Sequence, residues 1–420
     1  MERTDLHRTI EALWRMESAR IIARLARMLR NVGQAEELAQ DALVAALEQW
    51  PRSGLPDNPA AWLMTTARNR AIDQLRRAKL SERKGALMAH DPDLIGAVDS
   101  ERVLEEDISD DLLRLMFVAC HPVLSTEARV ALTLRLLGGL TSTEIARAFL
   151  VPEPTVQQRI VRAKRTLAEA HVPFEVPRAE ERAERLGSVL EVIYLVFNEG
   201  YAATAGEDWM RPALCEEALR LGRILAELAP AEPEVHGLVA LMELQASRTG
   251  ARVSSSGEPI LLTAQDRTRW DQLLIRRGLA ALERAEALGG ALGIYALQAA
   301  IAGCHARALS VEQTDWTRIV ALYDALAELA PSPIVRLNRA VAVSMAYGPA
   351  PALELVDALQ SEARLQSYHL LPSVRGDLLE RLGRYEEARA EFARAASLAR
   401  NAREKNLLLG RVAACGARAQ

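Results

Sequence analysis

The sequence is poor in cysteine, which cross-links small secreted domains, and in aromatic residues, which are common in β-sheets. Its four cysteines are Cys120, Cys215, Cys304 and Cys415, and none of them forms a Cys-x-x-Cys pair. A disulfide framework is therefore not expected. Aromatic residues make up 4% of the chain. No sustained segment alternates polar and apolar residues as a half-buried strand does. An all-α fold is therefore predicted.

Features of membrane proteins, metalloproteins and nucleotide-driven enzymes are also missing. No apolar run approaches the roughly 18 residues that a membrane span requires. The opening MERTDLHRTI lacks the basic-then-apolar pattern of a signal peptide, so a cytoplasmic location with no membrane partner is expected. The adjacent Cys-His pairs at 120–121 and 304–305 do not have the spacing of zinc ligands, and no Gly-rich phosphate loop is present. We expect no metal, no cofactor and no catalytic residue.

The net charge of −4 conceals an uneven distribution of charge along the chain. Between Ala60 and Leu80, five basic residues stand against one acid. From Ser81 to Leu113, ten acids stand against three basic residues. A second basic segment, PTVQQRIVRAKR, spans Pro154 to Arg165. This pattern predicts two modules that face nucleic acid, joined by an acidic linker.

The second basic segment follows a capped helix. In LTSTEIARAFLVPE, Thr141 and Glu144 have the spacing of a capping box, and Ile145, Ala146 and Phe149 form an apolar face. Pro152 ends this helix, because proline disfavours helical geometry in the preceding residue, whereas Pro154 suits the first turn of the next helix. The next helix keeps Val156, Ile160, Val161 and Ala163 for packing. The pair predicts a helix-turn-helix, whose second helix enters the DNA major groove.

The N-terminal module is predicted as three helices. Ile21, Ile22 and Leu25 lie on one face of the first, and QAEELAQDALVAALEQW forms the second. Glu36 and Glu37 complement the dipole at its start, an explanation that does not extend to Asp41. In the third helix, Trp62, Leu63, Thr66, Ile72 and Leu75 are expected to face inward.

Three segments, AEELAQD, NPAAWLMTTARNRAIDQLRR and TSTEIARAFLVPEPTVQQRIVRAKRTL, together resemble the bacterial extracytoplasmic-function (ECF) sigma factors of RNA polymerase. The resemblance implies sigma domain 2 at residues 1–80, an acidic linker at 81–110 and sigma domain 4 at 111–172. It implies as partners promoter DNA and the β′ clamp helices and β flap of core RNA polymerase. One departure is visible, since Leu150 occupies a turn position that is often glycine in the family.

The same resemblance assigns roles to individual positions. The surface that docks on core polymerase falls on Glu36, Glu37, Gln40 and Asp41. The helix that faces the minus-ten element carries Asn69, Arg70, Asp73, Arg76 and Arg77. The pocket for a base flipped from the non-template strand falls on Leu55, Pro56, Asp57, Asn58 and Trp62, although Trp62 is also a candidate core residue. The helix that reads the minus-35 element carries Thr155, Gln157, Gln158, Arg159 and Arg162, with Lys164 and Arg165 at the phosphates.

Residue chemistry independently supports a DNA-reading helix. Arginine pairs with guanine edges and glutamine with adenine, whereas lysine holds the phosphate backbone. Two other classes of function remain open: a helix-turn-helix repressor or activator with a sensing domain, and an enzyme in the C-terminal half. A repressor needs neither an acidic docking helix nor a melting loop, and an enzyme needs titratable groups that converge in a pocket.

From residue 177 to 420 the chain extends beyond a minimal sigma factor. LAELAP occurs at Leu225–Pro230 and again at Leu326–Pro331, close to three periods of the 34-residue tetratricopeptide (TPR) repeat. Gly376, Gly383, Tyr385, Ala388, Phe392 and Ala395 occupy offsets typical of its packing positions. A TPR-like solenoid of about five or six helical hairpins is predicted, with an insertion at residues 247–263. The resemblance extends to an ECF subgroup with such an extension.

The solenoid is expected to regulate the sigma module in cis, with an unidentified regulator as a further candidate partner. A polar cluster follows the first long helix of this part, and two interpretations are open: a turn with capped helix ends, or a contact surface or ligand pocket against the sigma domains. Its residues are Asn198, Glu199, Tyr201, Asp208, Trp209 and Arg211.

Overall fold

The structure, a computed structural model, describes residues 3–85, 101–204, 206–254 and 257–419. Within these ranges the regular elements are α-helices and short 3-10 turns, and no β-strand forms, which confirms the predicted all-α class. The chain folds as two compact units, Met1–Ile193 and Tyr194–Gln420. None of the described helices combines the length and apolar character needed to cross a bilayer.

The first unit contains the two basic segments. Its helices are α1 (Arg3–Leu29), α2 (Val32–Ser53), α3 (Pro59–Gly85), α4 (Glu101–Ala119), α5 (Thr126–Leu136), α6 (Ser142–Phe149) and α7 (Glu153–Glu169). The next helix, α8 (Ala179–Tyr201), begins in the first unit and ends in the second. The predicted acidic linker is described in part, because residues 86–100 lie outside the described residues.

Helix α1 packs against α2, α3 and α4. Its predicted apolar face is confirmed, since Ile21, Ile22 and Leu25 are fully buried. On α3, Leu63 is buried as expected, but the prediction that Leu75 faces inward is wrong. The last fully buried residue described on α3 is Ala71, so Leu75 lies one turn beyond the packed part of the helix.

The first half of α8 caps the end of α4. The last carbonyls of a helix have no partner within it and need donors from elsewhere. Arg185 Nη2 donates to the Phe117 carbonyl at 2.9 Å, and Ser188 Oγ donates to the Cys120 carbonyl at 2.6 Å. Arg129 of α5 adds an ion pair with Glu191 at 3.1 Å. Residues 179–193 are therefore part of the first unit's structure.

In the second unit, each helix packs against the next along the chain, as a helical-repeat architecture requires. The helices after α8 are α9 (Pro212–Leu228), α10 (Pro233–Ala246), α11 (Gln272–Ala287), α12 (Ile294–Arg307), α13 (Trp316–Leu329), α14 (Pro333–Tyr347), α15 (Pro349–Asp357), α16 (Leu370–Arg381), α17 (Tyr385–Leu398) and α18 (Ala402–Ala419).

The two LAELAP segments occupy equivalent places, at the ends of α9 and α13, and each precedes a helix that begins with proline, Pro233 or Pro333. They are four helices apart, which corresponds to two helical hairpins. The expected spacing of three 34-residue periods is therefore wrong. The predicted insertion at residues 247–263, together with residues 264–271, accounts for the extra length, because this segment forms 3-10 turns and an antiparallel bridge between Val253 and Pro259.

The packing positions predicted near the end of the repeat are confirmed. Phe392 is buried against Gly376, where an added Cβ would come within 2.9 Å of the Phe392 ring. Ala388 is fully buried one turn before Phe392. Gly383 has φ +77° and separates α16 from α17, a left-handed conformation that glycine adopts without steric cost.

Candidate nucleic-acid interface

The helix-turn-helix forms as predicted. Thr141 Oγ1 accepts from the Glu144 backbone N–H at 3.1 Å, and the Glu144 carboxylate accepts from the Thr141 N–H at 2.8 Å, which completes the capping box. Although burial acts in the opposite direction, these bonds and the charges of Arg15 and Arg147 lower the pKa of Glu144. Leu150 closes the turn in the left-handed region, at φ 51°. Helix α7 then begins with Pro154 in its first turn.

Helix α7 has a narrow buried stripe and a broad outer face. Val156, Ile160 and Ala163 are buried, as expected. The prediction that Val161 packs inward is wrong, because Val161 is 63% exposed. The outer face carries most of the residues expected at DNA: Gln157, Gln158, Arg162 and Arg165 are exposed, while Thr155 and Arg159 are half-buried. Two of these have local partners, since Gln157 bonds Glu153 and Arg165 bonds Glu169.

Lys164 points away from that outer face. Its ammonium forms an ion pair with the carboxylate of Glu36 on α2, and its side chain is 20% exposed. The residue expected to contact phosphate is therefore bound to a residue expected to contact core polymerase.

Glu36 joins three helices of the first unit. Its Oε1 accepts from Arg135 Nε of α5 at 2.6 Å and from Gln40 Nε2 of α2 at 2.5 Å. The Glu36 side chain is 3% exposed, whereas the sequence places it on the same polar side as the exposed Glu37 and Asp41. The dipole explanation for Glu36 and Glu37 is also wrong, because α2 begins at Val32 and has no acidic residue in its first turn.

Asp41 remains accessible on α2. Its side chain is 60% exposed and lies 3.5 Å from Arg70 Nη1 on α3. Farther along α3, Asn69, Asp73, Arg76 and Arg77 are exposed, and Arg70 is half-buried. The structure thus brings the predicted polymerase-docking and minus-ten surfaces into contact through one pair of residues.

The loop and tryptophan expected to hold a flipped base lie between α2 and the first turns of α3. Trp62 is half-buried and contacts the fully buried Trp50 edge to face, with ring centroids 5.3 Å apart. Asn58 Oδ1 accepts from the Ala61 N–H at 3.0 Å and so caps α3. Of the loop residues, Leu55, Asp57 and Asn58 are exposed and Pro56 is half-buried.

Sequence reasoning missed Asp111 and its arginine partners. Asp111 is fully buried and pairs with Arg24 at 3.3 Å, Arg27 at 3.5 Å and Arg114 at 2.7 Å. The position of Asp111 on α4 could have indicated its burial. It precedes the buried Leu115 and Val118 by four and seven residues, which places all three on one face of the helix. Arg15 of α1 likewise pairs with Glu144 of the capping box.

The polar cluster at the end of α8 and in the loop after it is hydrogen-bonded within the second unit. Glu199 pairs with Arg211 and accepts from Thr204 Oγ1 at 2.6 Å. The Asp208 carbonyl accepts from Asn401 Nδ2 at 2.8 Å. Tyr194 bonds Asn198, whereas Tyr201 and Trp209 contact arginines of the following segment. In the part of the chain described, no three His, Cys, Asp or Glu side chains converge as metal ligands.

Family models match three parts of the chain. Residues 13–80 match sigma-70 region 2, and residues 114–167 match sigma-70 region 4. Residues 185–286 match a family of unknown function, DUF6596.

Relatives divide in the same way. An uncharacterized protein of Rhizobium meliloti (strain 1021) is 47% identical over 386 residues, which is 90% of this chain and 89% of the relative. The ECF RNA polymerase sigma factor SigK of Mycobacterium sp. (strain KMS) is 30% identical over 156 residues, 36% of this chain and 76% of the relative. A probable ECF RNA polymerase sigma factor, SigI of Mycobacterium tuberculosis (strain CDC 1551 / Oshkosh), is 26% identical over 178 residues, 42% of this chain and 60% of the relative.

Proposed function

Because this chain belongs to the ECF family of RNA polymerase sigma factors, we propose that it binds core polymerase, recognises minus-35 and minus-ten promoter elements and helps to melt DNA to initiate transcription. The observation that carries this proposal is the outer face of α7, where glutamine and arginine side chains are exposed. Such side chains read base edges in the major groove. The preceding helix, α6, begins with a complete capping box.

Core binding is assigned to the exposed part of α2. Asp41 and Glu37 are accessible in the described arrangement, whereas Glu36 is held by Arg135 and Lys164. We therefore assign the first contact with polymerase to Glu37 and Asp41. Promoter binding then requires Lys164 to exchange the Glu36 carboxylate for a DNA phosphate, which separates α7 from α2.

Run-off transcription with the full-length chain and core polymerase tests this function. Asp41→Lys should abolish transcription and retention on immobilised core, because it reverses the charge of an exposed docking residue. Glu48→Lys is the matched control, since Glu48 is an exposed acid on the same helix. Both variants should keep the native helicity. Normal transcription by Asp41→Lys would place core docking elsewhere, and no transcription by the unsubstituted chain would sink the proposal.

Regulation in cis by the second unit is assigned to α8. Its first half bonds the end of α4 through Arg185 and Ser188, next to the predicted DNA-reading module. A change in the second unit that moves α8 therefore acts directly on α4. Arg185→Met combined with Ser188→Ala should alter promoter output, whereas a flexible insertion between His171 and Pro173 should not, since it leaves these bonds in place. Equal effects of both changes would assign regulation to tether length or to another partner.

A further inference from the structure

Three arginines gather around aromatic rings in the second unit. The Arg252 guanidinium lies 3.5 Å from the ring centroid of Tyr201, and Arg248 Nη2 donates to the Tyr201 hydroxyl at 2.6 Å. Arg248 and Arg267 both lie over Trp270, at 5.8 and 5.1 Å from its ring centroid. We call Tyr201, Arg248, Arg252, Arg267 and Trp270 the arginine–aromatic cluster.

Within the described chain, the cations of this cluster form no salt bridge, although the charge of Glu312 acts on Arg267. Among the residues that the structure describes, no carboxylate lies within ion-pairing distance of Arg248, Arg252 or Arg267. Arg252 is only 8% exposed, and a buried guanidinium without a counter-charge is costly. Contact with the Tyr201 face offsets part of that cost. Burial, together with the charge of Arg248, lowers the pKa of Arg252.

Arg267, in the same cluster, has a structural role that its hydrogen bonds explain. It donates to the His305 and Ala308 carbonyls at 2.9 and 2.8 Å and to Thr314 Oγ1 at 2.9 Å, so it caps the end of α12. Arg248 and Arg252 make no such set of bonds to carbonyls in the described chain. Their guanidiniums are not accounted for by helix capping.

Several residues of the cluster, and His305 near them, carry unpaired buried polar atoms. Arg252 Nε, Arg267 Nε, Trp270 Nε1 and His305 Nδ1 are buried and have no hydrogen-bond partner in the described chain. Buried polar groups in native proteins are nearly always paired, so a group of orphans in one place calls for an explanation. Three of these four atoms are obligate donors, so the partner that they lack is an acceptor.

A cavity of about 360 Å³ lies along the segment that carries Arg248. Its wall includes Cys215, the chain neighbours of Arg248 (Ser247 and Thr249) and those of Trp270 (Arg269 and Asp271), and it also carries the acid Glu216. Burial raises the pKa of the Cys215 thiol to about 12, and Arg252 is close enough for its charge to act against that rise. The cavity therefore reaches the chain neighbours of Arg248 and Trp270.

We propose that Arg248 and Arg252, with Tyr201 and Trp270 beside them, bind an oxyanion, a carboxylate or phosphate group carried on a small molecule. Guanidiniums present paired donors that match both anions. The aromatic rings pack against the remainder of the ligand. All four residues fall inside the part of the chain that matches DUF6596. The site does not depend on the proposed promoter recognition.

The test uses the full-length chain, with inorganic phosphate in one arm and acetate in the other, titrated at constant ionic strength against chloride. Trp209 and Trp270 lie beside the arginines, so tryptophan fluorescence should change saturably and the melting temperature should rise in at least one arm. A response to phosphate alone identifies a phosphate ligand, and a response to acetate alone a carboxylate ligand.

Variants separate a specific site from general screening of charge. Arg248→Gln should weaken the apparent affinity by at least about tenfold, as the loss of a charge-assisted hydrogen bond implies. Arg276→Gln, an exposed arginine on α11, should leave the affinity unchanged. Arg252→Lys keeps the charge without the planar fork, and it should weaken binding while circular dichroism stays native. No saturable response in either arm, or an equal response in all variants, would overturn the proposal.

Discussion

Glu36 Oε1 lies 2.6 Å from Arg135 Nε, and this pair joins α2 to α5 inside the first unit. Gln40 and Lys164 complete the shell of the same carboxylate. Buried charges persist when every partner is present, and removal of one partner is strongly destabilising. A residue expected to dock on polymerase is therefore also a structural centre of the unit.

Glu36→Gln should release Lys164 and strengthen binding to random-sequence duplex DNA. The salt dependence of binding, measured by fluorescence anisotropy over a range of KCl, should steepen by about one unit because one more phosphate is neutralised. The free energy of unfolding should fall by about 3 kcal/mol. Glu37→Gln changes the net charge equally at an exposed neighbour and is the control. An identical salt slope in both variants would contradict the release of Lys164.

Arg162→Ala should weaken binding to the cognate minus-35 element by about 1–3 kcal/mol and relax preference at one base position, because Arg162 is exposed on the outer face of α7. Arg159→Ala should act in the same way at a different position. Lys164→Ala should weaken cognate and random DNA alike. Competition binding with a set of single-base variants measures both quantities, and equal losses on cognate and random DNA for all three substitutions would refute base reading.

Leu150→Gly should raise the free energy of unfolding by about 0.5–1 kcal/mol. The left-handed backbone at Leu150, φ 51°, is strained for a residue with a Cβ, and this relief exceeds the entropy that glycine adds to the unfolded chain. Leu150 is 52% exposed, so little buried surface is lost. Urea unfolding measures the change. Arg147→Gly, in the helical backbone of α6, should instead destabilise by about 1 kcal/mol; a loss at Leu150 too would show that its turn is unstrained.

His305→Gln should reduce the sensitivity of the second unit to acid. Burial, with the charges of Arg248 and Arg267, lowers the pKa of His305 to about 3. The unfolded chain binds this proton near pH 6.5, so stability is full above that pH and falls as the pH drops towards the folded value. Between pH 7 and pH 5 the loss from this group is about 2 kcal/mol. The melting temperature should fall more steeply from pH 7 to pH 5 for the native chain than for the variant. An equal pH dependence in the two proteins would contradict a neutral buried His305.

The helix-turn-helix was predictable because its signals are local. Thr141, Glu144, Pro152 and Pro154 act within a few residues of where they stand. The inward placement of Val161 failed for a physical reason, since α7 is packed along one stripe only and most of its surface remains exposed. Periodicity gives the direction of a buried face and not its width.

The surroundings of Glu36 and of the arginine–aromatic cluster were not predictable. Arg135 and Lys164 are far from Glu36 in sequence, and no local rule relates them. The sequence places Tyr201 in a polar cluster. Its partners Arg248 and Arg252 lie in an insertion that breaks the repeat period, so the sequence does not predict their contact with Tyr201. Chemistry that depends on distant partners requires the tertiary arrangement.

The caps that α8 provides have an evolutionary consequence. A stop codon before Ala179 deletes Arg185 and Ser188 and leaves the carbonyls of Phe117 and Cys120 at the end of α4 without their donors. Each orphaned buried acceptor costs about 1–3 kcal/mol. Loss of this extension would therefore destabilise the first unit, which carries both sigma-70 matches. Reversion to a minimal form demands compensating substitutions around Cys120 before the gene can shorten.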